Sequence, residues 1–279
     1  MKKHKTAKAL FISGTGTDVG KTYCATLVAK LLRDAGIDAG YYKPAASGVV
    51  LGERGCLESD AMYVARASGL SDIHEDMVSF SYVSAVSPHL AARMEGNPVS
   101  LDVVERDFAR VCARHDYVIV EGCGGVACPL RFDDCVIMLA DVVRMLDIPI
   151  LLVADAGLGT LNALSTTTAY LERERLHVAG VILNRFRKGD VMHEDNRAMA
   201  KALCSVPVVA CVPEGAPELV ASVDEVKDLF VEADFSSGSY GETGLPADAL
   251  EAIFDNVEVG YRVGAKAGGR CAASFFDAH

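Results

Sequence analysis

Several features that would point away from an ordinary globular enzyme are missing from this sequence. No apolar run is long enough to span a bilayer, and the Lys-rich start, Met1 to Lys8, lacks the apolar core of a secretory signal. The nine cysteines are an odd number with no Cys-x₂-Cys pair, which argues against a zinc framework. A basic excess is also lacking. The net charge of −11 leaves no broad cationic face for a nucleic acid. It does not exclude a nucleotide, for which a local nest of N–H groups and one lysine suffice. No internal repeat is present. The expectation is a reduced, cytoplasmic enzyme with neither a membrane nor a nucleic-acid partner.

What is present is a large apolar fraction, 51% of 279 residues, enough for a sizeable core. Short apolar runs alternate with helical patterns. The runs Ala9–Ser13, Gly40–Lys43, Tyr117–Glu121, Ile150–Ala154, Val178–Leu183 and Val208–Val212 read as parallel strands covered on both faces. Between them, Tyr23–Asp34, Leu101–Ala113, Asp134–Leu146, Leu161–Arg175 and His193–Leu203 read as helices. Gly36 stands where the first should stop, and Ser100 where the second should be capped. The predicted fold class is α/β, a parallel sheet with helices on both faces. Residues 1–232 are expected to form one domain. Residues 233–279 read as an extension, with a Ser/Gly/acidic linker at Asp234–Thr243 and a short amphipathic helix at Leu245–Val259.

The most specific local feature is Gly14-Thr15-Gly16-Thr17-Asp18-Val19-Gly20-Lys21-Thr22, placed between an apolar strand and a helix. Glycines let a backbone curl its N–H groups toward phosphate oxygens, while Lys21 offsets their charge and the Thr22 hydroxyl can ligate Mg²⁺. The spacing departs from the usual P-loop, because Thr15 occupies the first-glycine position and Gly14 lies one residue earlier. Ligands of such sheets bind at the carboxyl ends of the strands. Ser13, Lys43, Glu121 and Asp155 all stand at strand tips and therefore converge on one rim.

Glu121 ends an apolar strand before Gly122-Cys123-Gly124-Gly125, where backbone without side chains allows close approach of a ligand. Such a carboxylate can hold Mg²⁺. Ser59 and Asp60 open a helical run, so N-capping competes with a metal role. Lys43 can stabilise charge on a transferring phosphoryl group, with Ser47-Gly48 in the same loop. Ser87-Pro88-His89 reads as a capped helix start rather than a catalytic pair. Gly157-Leu158-Gly159-Thr160-Leu161-Asn162 opens a helix whose N–H groups can receive an anion.

Taken in order, the loop, Lys43-Pro44-Ala45-Ala46-Ser47-Gly48, Ser59-Asp60, Ser87-Pro88-His89 and Val120-Glu121-Gly122-Cys123-Gly124-Gly125 resemble the dethiobiotin synthetase family, from about Leu10 to about Gly215. The loop spacing is that family's own. The resemblance implies a P-loop NTPase-like fold and a cytoplasmic homodimer. The implied activity is a magnesium-dependent ligase of biotin biosynthesis that closes the ureido ring from 7,8-diaminopelargonate, CO₂ and ATP. It implies that Thr17, Asp18, Val19, Gly20, Lys21, Thr22 and Tyr23 wrap the phosphates, and that Thr22, Asp60 and Glu121 hold Mg²⁺. Gly122, Cys123 and Gly124 would line the nucleotide. Asn184 would read adenine with Arg185 beside it, and Pro213, Glu214 and Gly215 would line the base pocket. Lys43 and Lys21 would be catalytic. Ser47 would contact the carbamate, and Gly157, Leu158, Gly159 and Asn162 would receive the substrate carboxylate across the dimer interface. Asp18 stands where many relatives carry Glu, and Cys123 and Cys128 are expected to make the site oxidation-sensitive.

Two other readings share the P-loop core. A cobyrinate-type amide synthetase would need a glutaminase domain, for which the residues after Gly215 are too few. A partition or septum-positioning ATPase would carry an extra lysine early in the loop, and none lies between Lys8 and Lys21.

Overall fold

The computed structural model describes residues 6–52 and 57–233. The chain opens with β1 (Lys8–Gly14), turns through the glycine loop into α1 (Lys21–Asp34), and continues to β2 (Ala39–Ser47). A small ribbon, β3 (Val50–Leu51) with β4 (Leu57–Glu58), precedes α2 (Asp60–Ser68); α3 (His74–Met77) then runs into β5 (Val78–Tyr82). Helices α4 (Pro88–Glu95) and α5 (Leu101–Cys112) lead to β6 (Tyr117–Gly125), and the hairpin of β7 (Pro129–Phe132) and β8 (Val136–Met138) feeds α6 (Leu139–Leu146). Strictly alternating elements follow: β9 (Ile150–Asp155), α7 (Thr160–Arg173), β10 (Val178–Asn184), α8 (Val191–Cys204) and β11 (Val208–Val212). Last come α9 (Val223–Lys227) and β12 (Val231–Glu232).

The main sheet runs β11-β10-β9-β1-β6-β2-β5, all parallel. β9 joins β1 only from Phe11 onward. The antiparallel β12 pairs with Lys8 and Ala9, below that point. Side chains alternate across the sheet with period two. Leu10 and Ile12 of β1 join Leu151 and Val153 of β9 in one core, covered by α1, α2 and α9. Phe11, Leu152 and Ala154 enter the other, with Val104, Phe108, Val142 and Leu164 from α5, α6 and α7. Helices therefore cover both faces, as the alternating pattern predicts. After β6 the chain crosses β1 and builds the sheet outward on the other side, so the crevice at the carboxyl ends falls around β1, β6 and β9.

Three local expectations need correction. The helix expected over Asp134–Leu146 begins at Leu139. Val136–Met138 pairs with β7, and the Asp141 carboxylate accepts a 2.8 Å bond from the Met138 N–H and fixes the helix start there. Strand β5 is not among the expected strands because its serines break the apolar run; it is an edge strand in Val-Ser-Phe-Ser-Tyr alternation. Ser87 and Ser100 occupy the N-cap positions of α4 and α5, but neither side chain makes a capping bond. The expected linker at Asp234–Thr243 and helix at Leu245–Val259 lie outside the described residues.

Candidate functional site

Built from the sheet outward, the site begins where β1 ends. The backbone of the glycine loop takes left-handed conformations at Asp18 (φ 59°) and Gly20 (φ 91°) before α1 starts. At Gly20 a side chain is ruled out twice: its φ is one that L residues rarely adopt, and a Cβ would stand 2.1 Å from Asn184 Nδ2. The first turn of α1 carries no side-chain cap, so its N–H groups face the loop. Lys21 is buried and donates to the Gly16 carbonyl at 2.9 Å, which folds its ammonium back over the loop. Burial, reinforced by the Lys43 cation and opposed by the Glu121 carboxylate, holds its pKa below the ordinary lysine value.

At the tip of β6, Glu121 is fully buried and collects three donors. Oε1 accepts from Thr22 Oγ1 at 2.7 Å and from Lys43 Nζ at 2.8 Å, and Oε2 accepts from the Tyr41 hydroxyl at 2.8 Å. Lys43 is 3% exposed, and its ammonium also donates to Asp60 Oδ2 at 2.6 Å. Burial alone would lower the Lys43 pKa. The Glu121 and Asp60 carboxylates outweigh it and hold the ammonium charged well above the ordinary lysine range. Burial likewise pushes Asp60 up, but Lys43 overcomes it and leaves Asp60 below the usual carboxylate value. Tyr41 is raised well above a normal phenol by burial and by Glu121, so it stays a neutral donor. Asp60 is the first residue of α2, capped by Ser59, whose Oγ accepts from the Met62 N–H at 3.3 Å. Capping and charge pairing thus coexist, in adjacent residues.

The glycine loop and the end of β10 meet at Asn184. Its Nδ2 donates to the Val19 carbonyl at 2.9 Å, while its buried Oδ1 has no hydrogen-bond partner. A buried acceptor left open in this way is uncommon, and a water or an N–H of a ligand can satisfy it. Arg185 follows Asn184 with its side chain partly exposed. It donates to Asp155 Oδ2 and to the Asp18 carbonyl, each at 2.7 Å. The Tyr23 hydroxyl donates to the Ala216 carbonyl, which docks the segment after Pro213, Glu214 and Gly215 against the start of α1.

Other expected residues lie at the same edge of the sheet but outside the Lys43 cluster. Thr17 and Asp18 are exposed in the loop. Ser47 is exposed at the end of β2, on the same face of the strand as Lys43. The Gly157 N–H donates to Asp155 Oδ1 at 2.7 Å, Leu158 is 94% exposed, and Asn162 is exposed on the first turn of α7. Packing already requires glycine at position 122, since a Cβ there would meet Leu139 Cδ2 at 2.7 Å and Phe11 Cε1 at 2.9 Å. Burial pushes the Cys123 thiol up to about 12 and raises Cys128. Thiolate, the form that oxidises readily, is therefore disfavoured at both.

Residues absent from the sequence expectations also belong here. Tyr41 lies two positions before Lys43 on one strand face, and that period-two relation was its available signal. His74 is buried between Ser59 Oγ (Nδ1, 2.9 Å) and Ser81 Oγ (Nε2, 2.7 Å), a link between α2 and β5 with no sequence signature. As to metal, the donor set is Thr22 Oγ1, Asp60 and Glu121. It consists of hard oxygens with two carboxylates, the kind that Mg²⁺ takes when phosphate oxygens complete its shell. Among the described residues no group of three or more His, Cys, Asp or Glu could hold a metal without such help.

The parallel sheet, the glycine loop and the Lys21-Thr22 helix start define a P-loop NTPase fold. The chain matches a family model described as an AAA domain over residues 8–220. It is 45% identical over 210 residues to the ATP-dependent dethiobiotin synthetase of Brachyspira hyodysenteriae, covering 75% of this chain and 93% of that protein. With the ATP-dependent dethiobiotin synthetase of Clostridium botulinum strain Eklund 17B it shares 40% identity over 205 residues, 74% of this chain and 90% of that one. The protein belongs to the dethiobiotin synthetase family. Among solved structures, the MinC:MinD cell division protein complex of Aquifex aeolicus matches with a TM-score of 0.50 at 13% identity, over 80% of this chain and 95% of that one; this likeness is one of fold alone.

Proposed function

We propose that this protein closes the ureido ring of dethiobiotin from 7,8-diaminopelargonate, CO₂ and ATP, releasing ADP and phosphate. The observation that carries this reading is the buried Lys43 ammonium, held between Asp60 and Glu121 while Thr22 of the phosphate loop shares the same Glu121 oxygen. A fixed cation is thereby set beside the loop that holds the γ-phosphate. In the reaction, one amine of the diamine adds to CO₂ and loses a proton to give a carbamate. A carbamate oxygen attacks the γ-phosphorus, and the bond to ADP breaks. The second amine then attacks the carbonyl carbon of the mixed anhydride and expels phosphate.

Lys21 and the N–H groups of Thr17 to Tyr23 bind and orient the phosphates. Lys43 neutralises charge that builds between carbamate and phosphate, and being preoriented it needs little reorganisation at the moment of reaction. Thr22, Asp60 and Glu121 would hold Mg²⁺, which when bound offsets the charge of the phosphate oxygens. The open Oδ1 of Asn184 suits the exocyclic amine of adenine, with Pro213, Glu214 and Gly215 as the base wall. Ser47 faces the carbamate side. Gly157, Leu158, Gly159 and Asn162 receive the substrate carboxylate, and the 94% exposed Leu158 supports a partner copy completing that end in a homodimer. We infer further that residues 1–232 are the catalytic unit, that 233–279 are an appended extension, and that the reaction is cytoplasmic.

The test is phosphate release by the purified chain with MgATP and bicarbonate, with and without the diamine. Release that depends on the diamine supports the reading. Release that ignores it overturns it in favour of an ATPase of the partition type.

A further inference from the structure

Asp155 and Arg185 make a set of contacts that the proposed chemistry does not use. Asp155 ends β9 and Arg185 follows β10, so the parallel pairing of these strands (Asn184 opposite Asp155) brings them together. Asp155 Oδ1 accepts from the Gly157 N–H and Oδ2 from Arg185 Nη1, both at 2.7 Å. The other guanidinium nitrogen, Nη2, donates to the Asp18 carbonyl at 2.7 Å. One carboxylate and one guanidinium thus join three segments: the phosphate loop, the end of β10 and the turn before α7. Asp18 and Arg185 both hold left-handed backbone, at φ 59° and 55°, a conformation that needs support from its surroundings in non-glycine residues. A planar guanidinium can serve two acceptors from separate nitrogens in fixed geometry, which an ammonium on a flexible stem cannot copy.

We propose that Asp155 and Arg185 are positioning residues that brace the backbone of the phosphate loop against the Gly157 turn. Since that turn is the proposed seat of the substrate carboxylate, the brace also links the two ligand ends, and that second half rests on the proposed function. The brace on the loop does not.

The test is equilibrium binding of a fluorescent, non-hydrolysable ATP analogue to the full chain, with magnesium and without any diamine, so that failure of the proposed reaction cannot influence it. Arg185→Ala should bind about tenfold more weakly, the size of losing one hydrogen bond to a charged donor. Asp155→Asn should lose a comparable factor although it approaches no phosphate. The double variant should be no weaker than either single one, because both remove the same brace. Arg185→Lys, which keeps the charge, should not rescue. Thermal midpoints should stay close to that of the parent, as befits a half-exposed pair. Rescue by Lys, or loss in Arg185→Ala with none in Asp155→Asn, would overturn the brace in favour of direct attraction between Arg185 and the nucleotide. Unchanged affinity in both single variants would reduce the pair to an ordinary surface ion pair.

Discussion

Replacing Lys43 by Met removes the ammonium while nearly keeping the length of the side chain, and the structure sets the size of two separate effects. The first is on stability. Glu121 has no solvent exposure, and it would keep only the Thr22 and Tyr41 hydroxyls as partners. Breaking a buried ion pair from one side costs about 3–5 kcal/mol. Asp60 is half-exposed and adds little, which favours the lower figure. At about 2–4 °C per kcal/mol for a domain of this size, the melting temperature should fall by about 6–12 °C. The second effect is on turnover, which should drop by about 10²-fold or more, as when an oriented transition-state contact is lost. The two effects separate in the Lys43→Met/Glu121→Gln double variant. With both charges gone, most of the lost stability should return, while turnover stays low. Thermal unfolding read beside the initial rate of diamine-dependent phosphate release makes the comparison. A Lys43→Met enzyme within about threefold of parent turnover would remove the lysine from the mechanism, well short of the expected loss. A melting temperature unchanged in that variant would refute the argument from the buried pair.

Further outcomes follow from the same geometry. Asp60→Asn leaves Ser59 to start α2 and should raise the magnesium needed for half-maximal rate by about tenfold or more, checked by metal titration at fixed ATP; an unchanged titration would leave Asp60 as the counter-ion of Lys43 only. Gly20→Ala should abolish measurable binding of the nucleotide analogue, since it adds about 1–2 kcal/mol of left-handed strain to a Cβ placed 2.1 Å from the Asn184 amide; parent-like affinity would contradict the loop geometry. Burial holds the pKa of His74 below its ordinary value of 6.5. Its folded state therefore takes up a proton less readily than the unfolded chain. Stability from this residue is full above about pH 6.5 and is lost as pH falls toward and through the lowered value. Denaturant midpoints measured from pH 8 to 5 should decline over that window and flatten in His74→Gln; equal slopes would show that His74 does not titrate as described.

Much of this architecture was legible in the sequence because parallel strands buried on both faces are continuous apolar runs. β1, β6, β9, β10 and β11 each fall within a few residues of a run such as Val118-Ile119-Val120 or Leu151-Leu152-Val153. The edge strand β5 carries serines on alternate positions and lacks that signal. The β7–β8 hairpin was hidden because Val136-Ile137-Met138 fits helical spacing as well as strand spacing, and pairing with β7 together with the Asp141 cap on Met138 decides between them. At the site, the rule that ligands sit at strand carboxyl ends was enough to bring Lys43 and Glu121 together. Geometry between separate elements was not readable. That Lys43 bridges two carboxylates, that Arg185 joins Asp18 to Asp155, and that His74 joins α2 to β5 all depend on side-chain directions set by tertiary packing.

The most direct measurement of the central claim is the fate of carbon from ¹³C-bicarbonate when the purified chain is given MgATP and 7,8-diaminopelargonate. The account predicts dethiobiotin carrying the label in its ureido carbonyl, with ADP and phosphate formed in equal number to the rings closed. Phosphate release without labelled product, at a rate indifferent to the diamine, would contradict it.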